Sequence, residues 1–337
     1  MSIPRLTFFC ELNADDLHIL FTNQQMIPDL KSLKASISLG ILDLSETRAF
    51  AVRNLNQAGI PVIAWLLLPE EEGYWFCLDN SSQAIARYAA FKTWTAEYDL
   101  SWVGVGLDIE PDMRELNRLA RERWRYLPHI VRRFMNRKGL RQARAAYQGL
   151  VDQIHLDGFQ VECYQLPFIE DERKAHSSLL QRLMGIVDIR VDKEIWMLYS
   201  SMFRPNGAGV IASYAPSAQA IGLGSTGGGV EIEFPLPGPL SWDELARDLR
   251  LAWNWSEDIY IFSLEGCVRH GFLPWLKTFV WDVPFLMPQK NLERVNAWRS
   301  LLRSLLWISA NIIPLSLGLT AIITFFHGLR RRLHNKA

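Results

Sequence analysis

The chain has 337 residues, 49% hydrophobic and 21% charged, enough to bury one large core or two ordinary ones and too apolar for extended disorder. Lys plus Arg and Asp plus Glu number 36 each, so global charge points neither to nucleic acid nor to an acidic substrate. Four scattered cysteines, Cys10, Cys77, Cys163 and Cys267, without CxxC spacing argue against a zinc site or a disulfide framework and for a reducing compartment.

The N-terminus, Met-Ser-Ile-Pro-Arg, leads straight into a strand-like run and lacks the charged and apolar regions of a secretory signal. Eight such runs alternate with helix-length segments: Leu6–Leu12, Ser36–Leu42, Pro61–Leu68, Trp102–Glu110, Gly158–Tyr164, Glu194–Ser200, Ala220–Thr226 and Ile259–Glu265. The second is followed by a helix over Ser45–Ala58, with Ser45 as N-cap and Gly59 as its stop. Eight βα units in about 285 residues predict an α/β fold of the (β/α)8 TIM-barrel type. An open doubly wound sheet is the alternative.

The fourth run sets Gly104, Gly106, Asp108 and Glu110 on one face and Val103, Val105, Leu107 and Ile109 on the other. The apolar face suits packing on helices, and the small face ending in carboxylates suits the barrel interior. The seventh run repeats the pattern with Gly222, Gly224 and Thr226.

Pro111–Leu156 is too long for one barrel helix and is expected as a basic helical insertion of two helices, broken near Lys138-Gly139. Between Arg114 and Arg144, eleven Lys/Arg stand against two acids, Glu115 and Glu122. A solvated face explains such a cluster; so does a surface for anionic lipid. The run Gly222–Gly229 invites a phosphate-loop reading but lacks the Lys-Ser/Thr of a Walker loop, which leaves flexibility as the reason for its glycines.

Ser304–Phe326 holds 23 residues without a formal charge, which as a helix would span roughly 30 Å of hydrocarbon. It predicts a C-terminal transmembrane anchor with Trp298 and Trp307 at the interface, a buried barrel helix being the other reading. Lys290, Arg294, Arg299 and Arg303 precede the run, and Arg330, Arg331, Arg332 and Lys336 follow it. Without an N-terminal signal the barrel is expected on the cytoplasmic side. The expected organisation is a barrel over 1–288, with its insertion at about 111–156, then a linker and anchor over 289–337.

Barrel sites form at the C-terminal ends of the strands. Glu11, Asp43, Asp108, Glu110, Glu162, Tyr164, Tyr199 and Glu265 all fall at or just after strand ends, and converging carboxylates push one another's pKa values apart. Trp65, Tyr74 and Trp75 are candidates for stacking on sugar rings. The seven histidines show no ligand spacing, so no metal or other cofactor is assigned.

Gly106-Leu107-Asp108-Ile109-Glu110-Pro111 resembles the strand-four DxDxE motif of the chitinase-type glycoside hydrolases, family eighteen, with Gly106 in place of the first aspartate. Met197-Leu198-Tyr199 is similar to that family's Met-x-Tyr. The resemblance implies Glu110 as the acid that protonates a glycosidic oxygen and Asp108 as its partner. It also implies Tyr199 beside the substrate. Ile109-Glu110-Pro111 also looks like the Asn-Glu-Pro of the large retaining clan of barrel glycosidases, where the strand-four glutamate is again the acid/base.

The expectation is thus a membrane-anchored barrel cleaving a glycosidic bond. Glu110 and Asp108 would be catalytic, with Glu162, Tyr164, Tyr199, Glu265, Glu11 and Trp65 lining the carbohydrate cleft. Two alternatives are a divalent-metal hydrolase using Glu11, Asp108, Glu110, Glu162 and Glu265, and a non-catalytic scaffold at the membrane.

Overall fold

A computed structural model describes residues 3–121, 127–230, 233, 237–283 and 286–311. Strands β1 (Arg5–Cys10), β2 (Ser36–Ile41), β3 (Val62–Leu66), β4 (Gly104–Asp108), β5 (Val161–Gln165), β6 (Lys193–Met197), β7 (Ala220–Gly224) and β8 (Asp258–Phe262) pair in sequence order. All pairs are parallel, and β1 closes on β8 with Thr7 opposite Tyr260. Closure excludes the open sheet and establishes the (β/α)8 barrel.

Helices α1 (Ala14–Thr22) and α2 (Met26–Ser32) follow β1, α3 (Glu46–Gln57) follows β2, and α4 (Ser81–Glu97) follows β3. After β4 come α5 (Met113–Arg121), α6 (Leu127–Met135) and α7 (Arg137–Leu156); after β5, α8 (Phe168–Lys174) and α9 (Leu179–Met184). Then α10 (Gly207–Tyr214) follows β6, α11 (Trp242–Trp253) follows β7, and α12 (Leu264–Arg269), α13 (Phe272–Lys277) and α14 (Gln289–Ala310) follow β8.

Local chemistry sets several boundaries. Ser45 Oγ accepts the Arg48 N–H at 3.2 Å to cap α3, and Gly59 takes φ 73° just past its end. In the basic insertion the break before α7 falls at Asn136, earlier than Lys138-Gly139. Asn136 Oδ1 accepts the Gly139 N–H at 3.0 Å, so that glycine lies inside the first turn of α7.

Period-two alternation divides the apolar residues between two cores. Val105, Leu107 and Ile109 join the core between strands and helices. Phe9, Trp65, Tyr164, Ile195, Met197 and Tyr260 fill the barrel interior. Phe9 meets Tyr164 edge to face at 4.8 Å, so the middle of the barrel is a packed aromatic layer rather than a channel.

The stretch expected as a linker is helical. From Gln289 to Ala310, α14 packs on α8, α9 and α10, with Val295, Arg299 and Leu306 buried. Arg299 is paired with Glu170 and Asp171 of α8, and its guanidinium lies 3.6 Å from the Tyr214 ring centroid. Buried carboxylates demand such a partner, which fastens the helix to the barrel wall. Ser304–Ala310, the start of the run expected to cross a membrane, belongs to this packed helix, and the rest from Ile312 lies outside the described residues. Among the described residues no helix is long and apolar enough to cross a membrane.

Candidate active site

The site is built from β4 upward. Parity turns Gly106 and Asp108 inward, and the register sets Gly106 beside Glu162 and Asp108 beside Tyr164. A Cβ at position 106 would stand 2.2 Å from Tyr164 Oη, so only glycine leaves room for that ring. The first aspartate of DxDxE therefore has no space here.

Asp108 is 2% exposed and accepts the Trp65 Nε1–H at 3.0 Å through Oδ2. Its Oδ1 has no hydrogen-bond partner among the described residues, and the Asp108 and Glu110 carboxyls are close enough for each to influence the other's titration. Burial, then the charges of Glu110 and Glu11, hold Asp108 well above the usual carboxylate range. Glu110 is half-buried; burial raises it to about 7, the neighbouring Asp108 carboxyl acting in the opposite sense. Asp108 thus holds a proton more tightly than a free carboxyl, and Glu110, at about 7, is poised to exchange one near neutrality.

Two more carboxyls join them. Glu11, just past β1 and 7% exposed, accepts a hydrogen bond from Tyr74 Oη and faces the Val230 N–H. Burial raises it to about 8, against the Tyr74 hydrogen bond and with the help of Glu265 and Glu110. Glu265, in the first turn of α12 and 6% exposed, accepts the Glu11 N–H at 3.4 Å and is raised chiefly by burial. Its Oε2 lacks a partner.

The loop after β3 brings Tyr74 to this cluster. Phe76 N–H donates to Asp108 O at 2.9 Å and Glu110 N–H to Phe76 O at 3.0 Å, stitching the loop to the end of β4. Tyr74 is held at φ 68°, a left-handed conformation uncommon for an aromatic residue. Its hydroxyl is pushed far up by burial and by Glu11, so it remains a donor.

The glycine run lies against two of these acids. Gly227, Gly228 and Gly229 take φ of 97°, 88° and 82°, and a Cβ would stand 2.5 Å from Glu265 Oε1 at position 228 and 2.6 Å from Glu11 Oε2 at position 229. The Gly229 and Val230 amides face Glu265 and Glu11 and favour their ionised forms. These amides serve the protein's own carboxyls instead of a phosphate, and the glycines permit the close approach.

Glu11, Asp108, Glu110, Glu265, Trp65 and Tyr199 thus gather at the C-terminal mouth. Tyr199 is half-buried against Phe262 at 5.6 Å, and its hydroxyl feels the charges of Glu110, Asp108 and Glu11. Glu162 and Tyr164 stand apart from the mouth. Glu162 accepts from Tyr260 Oη at 2.7 Å and lies 3.6 Å from Lys193 Nζ, at the opening residue of β6, on the far side of the aromatic layer. Tyr164 is wholly buried with its hydroxyl 2.6 Å from Ser38 Oγ. Asp43 pairs with Arg48 at 2.8 Å and accepts the Ser45 N–H, which is work at a helix start.

Among the described residues no three His, Cys, Asp or Glu side chains are grouped so as to hold a metal ion. A groove of about 680 Å³ lies on the outer wall between α4 and α7 and touches none of the mouth acids. The titratable groups converge at the mouth instead.

No protein-family model matches the chain, and no curated protein matches it. The resemblance to family eighteen accordingly gains no support from them. Solved barrels do match. The PgaB (BpsB) glycoside hydrolase domain from Bordetella bronchiseptica aligns at 10% identity and TM-score 0.48, over 84% of this chain and 100% of that one. A D-allulose 3-epimerase from Methylomonas sp. aligns at 11% and 0.41, over 89% and 100%. A xylose isomerase-like barrel protein from Mycobacterium smegmatis aligns at 11% and 0.42, over 82% and 97%. Likeness at this level is one of fold.

Proposed function

We propose that the protein is a glycoside hydrolase whose general acid is Glu110. The observation that carries the reading is the juxtaposition at the barrel mouth of a half-buried Glu110, raised to about 7, and a more deeply buried Asp108, held well above the usual carboxylate range. Protonating a glycosidic oxygen near neutral pH requires a carboxylic acid tuned in this way. Asp108 positions Glu110 and holds its acidity near neutrality, and Tyr199 stands beside it to meet the sugar. Glu162 is out of reach, so Glu11 and Glu265 are the remaining carboxyls near the pair. Glu11, raised to about 8, favours a neutral, hydrogen-bonding role at pH 7, which leaves Glu265 as the carboxyl to take the proton of the attacking water.

A second reading, a barrel without a reaction, is favoured by the cover over three of the four acids. Tyr74, Trp65 and the triglycine loop occupy most of their hydrogen-bonding positions. The two separate on a panel of oligosaccharides and aryl glycosides, scored by release of reducing ends. Turnover that falls as pH rises through about 7 supports the hydrolase, and absence of turnover on every member supports the scaffold.

A further inference from the structure

We propose that the face formed by α6 and the C-terminal end of α14 docks on an anionic lipid bilayer, with Arg132, Arg137 and Lys138 at the headgroups and Val131 and Met135 below them. The inference is independent of the hydrolase reading.

In α6 the arginine that packs inward is Arg133, buried and paired with Asp79 and Glu115. The opposite side carries Val131 and Met135 at 65% and 73% exposure, with Phe134 beside them. Exposed Arg132, Arg137 and Lys138 border these apolar side chains. On α14 the outward residues include Trp298, Leu301, Leu305, Trp307 and Ile308. A soluble helix seldom leaves that much apolar surface in water.

The two surfaces are neighbours across one short helix. Arg182 of α9 lies over the Phe134 ring at 5.4 Å, Ser309 Oγ is 3.4 Å from Ser177 Oγ just before α9, and α9 packs on both α6 and α14. The sequence then continues beyond Asn311 with Ile312–Phe326, without a formal charge, and Arg330, Arg331 and Arg332. Exposed apolar side chains, bordering cations and an uncharged apolar run next in sequence to α14 match the layered chemistry of an anionic bilayer, apolar beneath phosphate. A protein partner would account for the exposed side chains of α6 but not for the length of that run.

The test is co-sedimentation of the full chain with phosphatidylcholine vesicles with and without phosphatidylserine. Three forms are compared: wild type, Val131→Glu with Met135→Glu, and Arg132→Ala with Arg137→Ala and Lys138→Ala. The wild type should prefer the serine lipid, and loss of three cations should weaken that binding roughly 100-fold. Because the four native cysteines are buried, a cysteine placed by Met135→Cys can be labelled with an environment-sensitive dye, whose emission should shift to the blue on serine-lipid vesicles. Wild-type binding by both variants, meaning attachment through the tail alone, overturns the proposal. So does an unshifted dye, or an oligomer in lipid-free solution that Val131→Glu with Met135→Glu dissolves.

Discussion

Gly106 and Tyr164 share one space inside the barrel: a methyl group on the first would stand 2.2 Å from the hydroxyl oxygen of the second and 2.8 Å from its ring carbon. The residue that departs from the DxDxE pattern is thus fixed by packing, and the acids of β4 begin one layer higher, at Asp108. Gly106→Ala should destabilise the fold by about 1–3 kcal/mol, as overpacking does. Tyr164→Phe in the same chain should restore part of that loss, and denaturant unfolding of the four-member cycle measures the coupling. Additive effects would mean that the two side chains do not compete.

The mouth acids make stability depend on pH in a definite sense. Glu11, raised from 4.5 to about 8, and Glu110, raised from 4.5 to about 7, bind protons more tightly folded than unfolded. Their favourable contribution is complete below pH 4.5 and is lost as pH rises through about 7 and 8. Glu11→Gln should therefore raise Tm relative to wild type at pH 9 and leave it nearly unchanged at pH 4, with a difference on the order of 1–3 kcal/mol once discounted for relaxation of the buried site. A Tm difference independent of pH would show that Glu11 does not titrate in this window.

The triglycine loop offers a separate check. Gly229→Ala places a side chain at φ 82° and 2.6 Å from a Glu11 oxygen, so the loop must move away from the acid. A destabilisation of about 1–3 kcal/mol is expected. Gly238→Ala, where nothing lies within 4 Å, should be neutral by comparison, and thermal unfolding distinguishes the two.

Arg299 fastens α14. Arg299→Ala leaves Asp171, which is fully buried, with the more distant Arg303, at 3.4 Å, as counter-charge, while Glu170 keeps Lys174; stripping a buried carboxylate of its close partner typically costs about 3–5 kcal/mol. Hydrogen exchange should accelerate in α14 ahead of the strands. Equal protection in wild type and variant would show that other contacts hold the helix.

Much of the barrel is legible in the chain because a strand's period of two and a helix's capping residues are local properties. Ser45, Gly59 and the alternating faces of β4 are read directly. Parity also sends Glu162 and Tyr164 inward, yet it cannot say how high in the barrel they stand. That height comes from inter-strand register, which sets Glu162 beside Lys193 and away from the mouth. Tyr74 reaches Glu11 only because a loop docks on β4, and neither the docking nor the positive φ has a local signal in an aromatic residue. The run Gly227–Gly229 was visible as a feature, but its purpose lies in two glutamates distant in sequence. Arg299 reads as a flanking charge of an apolar run until the carboxylates of α8 are seen against it.

The most direct measurement is turnover by Glu110→Gln on a glycoside that the wild type cleaves, with circular dichroism and Tm recorded on the same samples. The variant should fold normally and lose about 10²–10⁴-fold in kcat. Undiminished turnover by a folded variant would contradict the assignment of Glu110 as the acid.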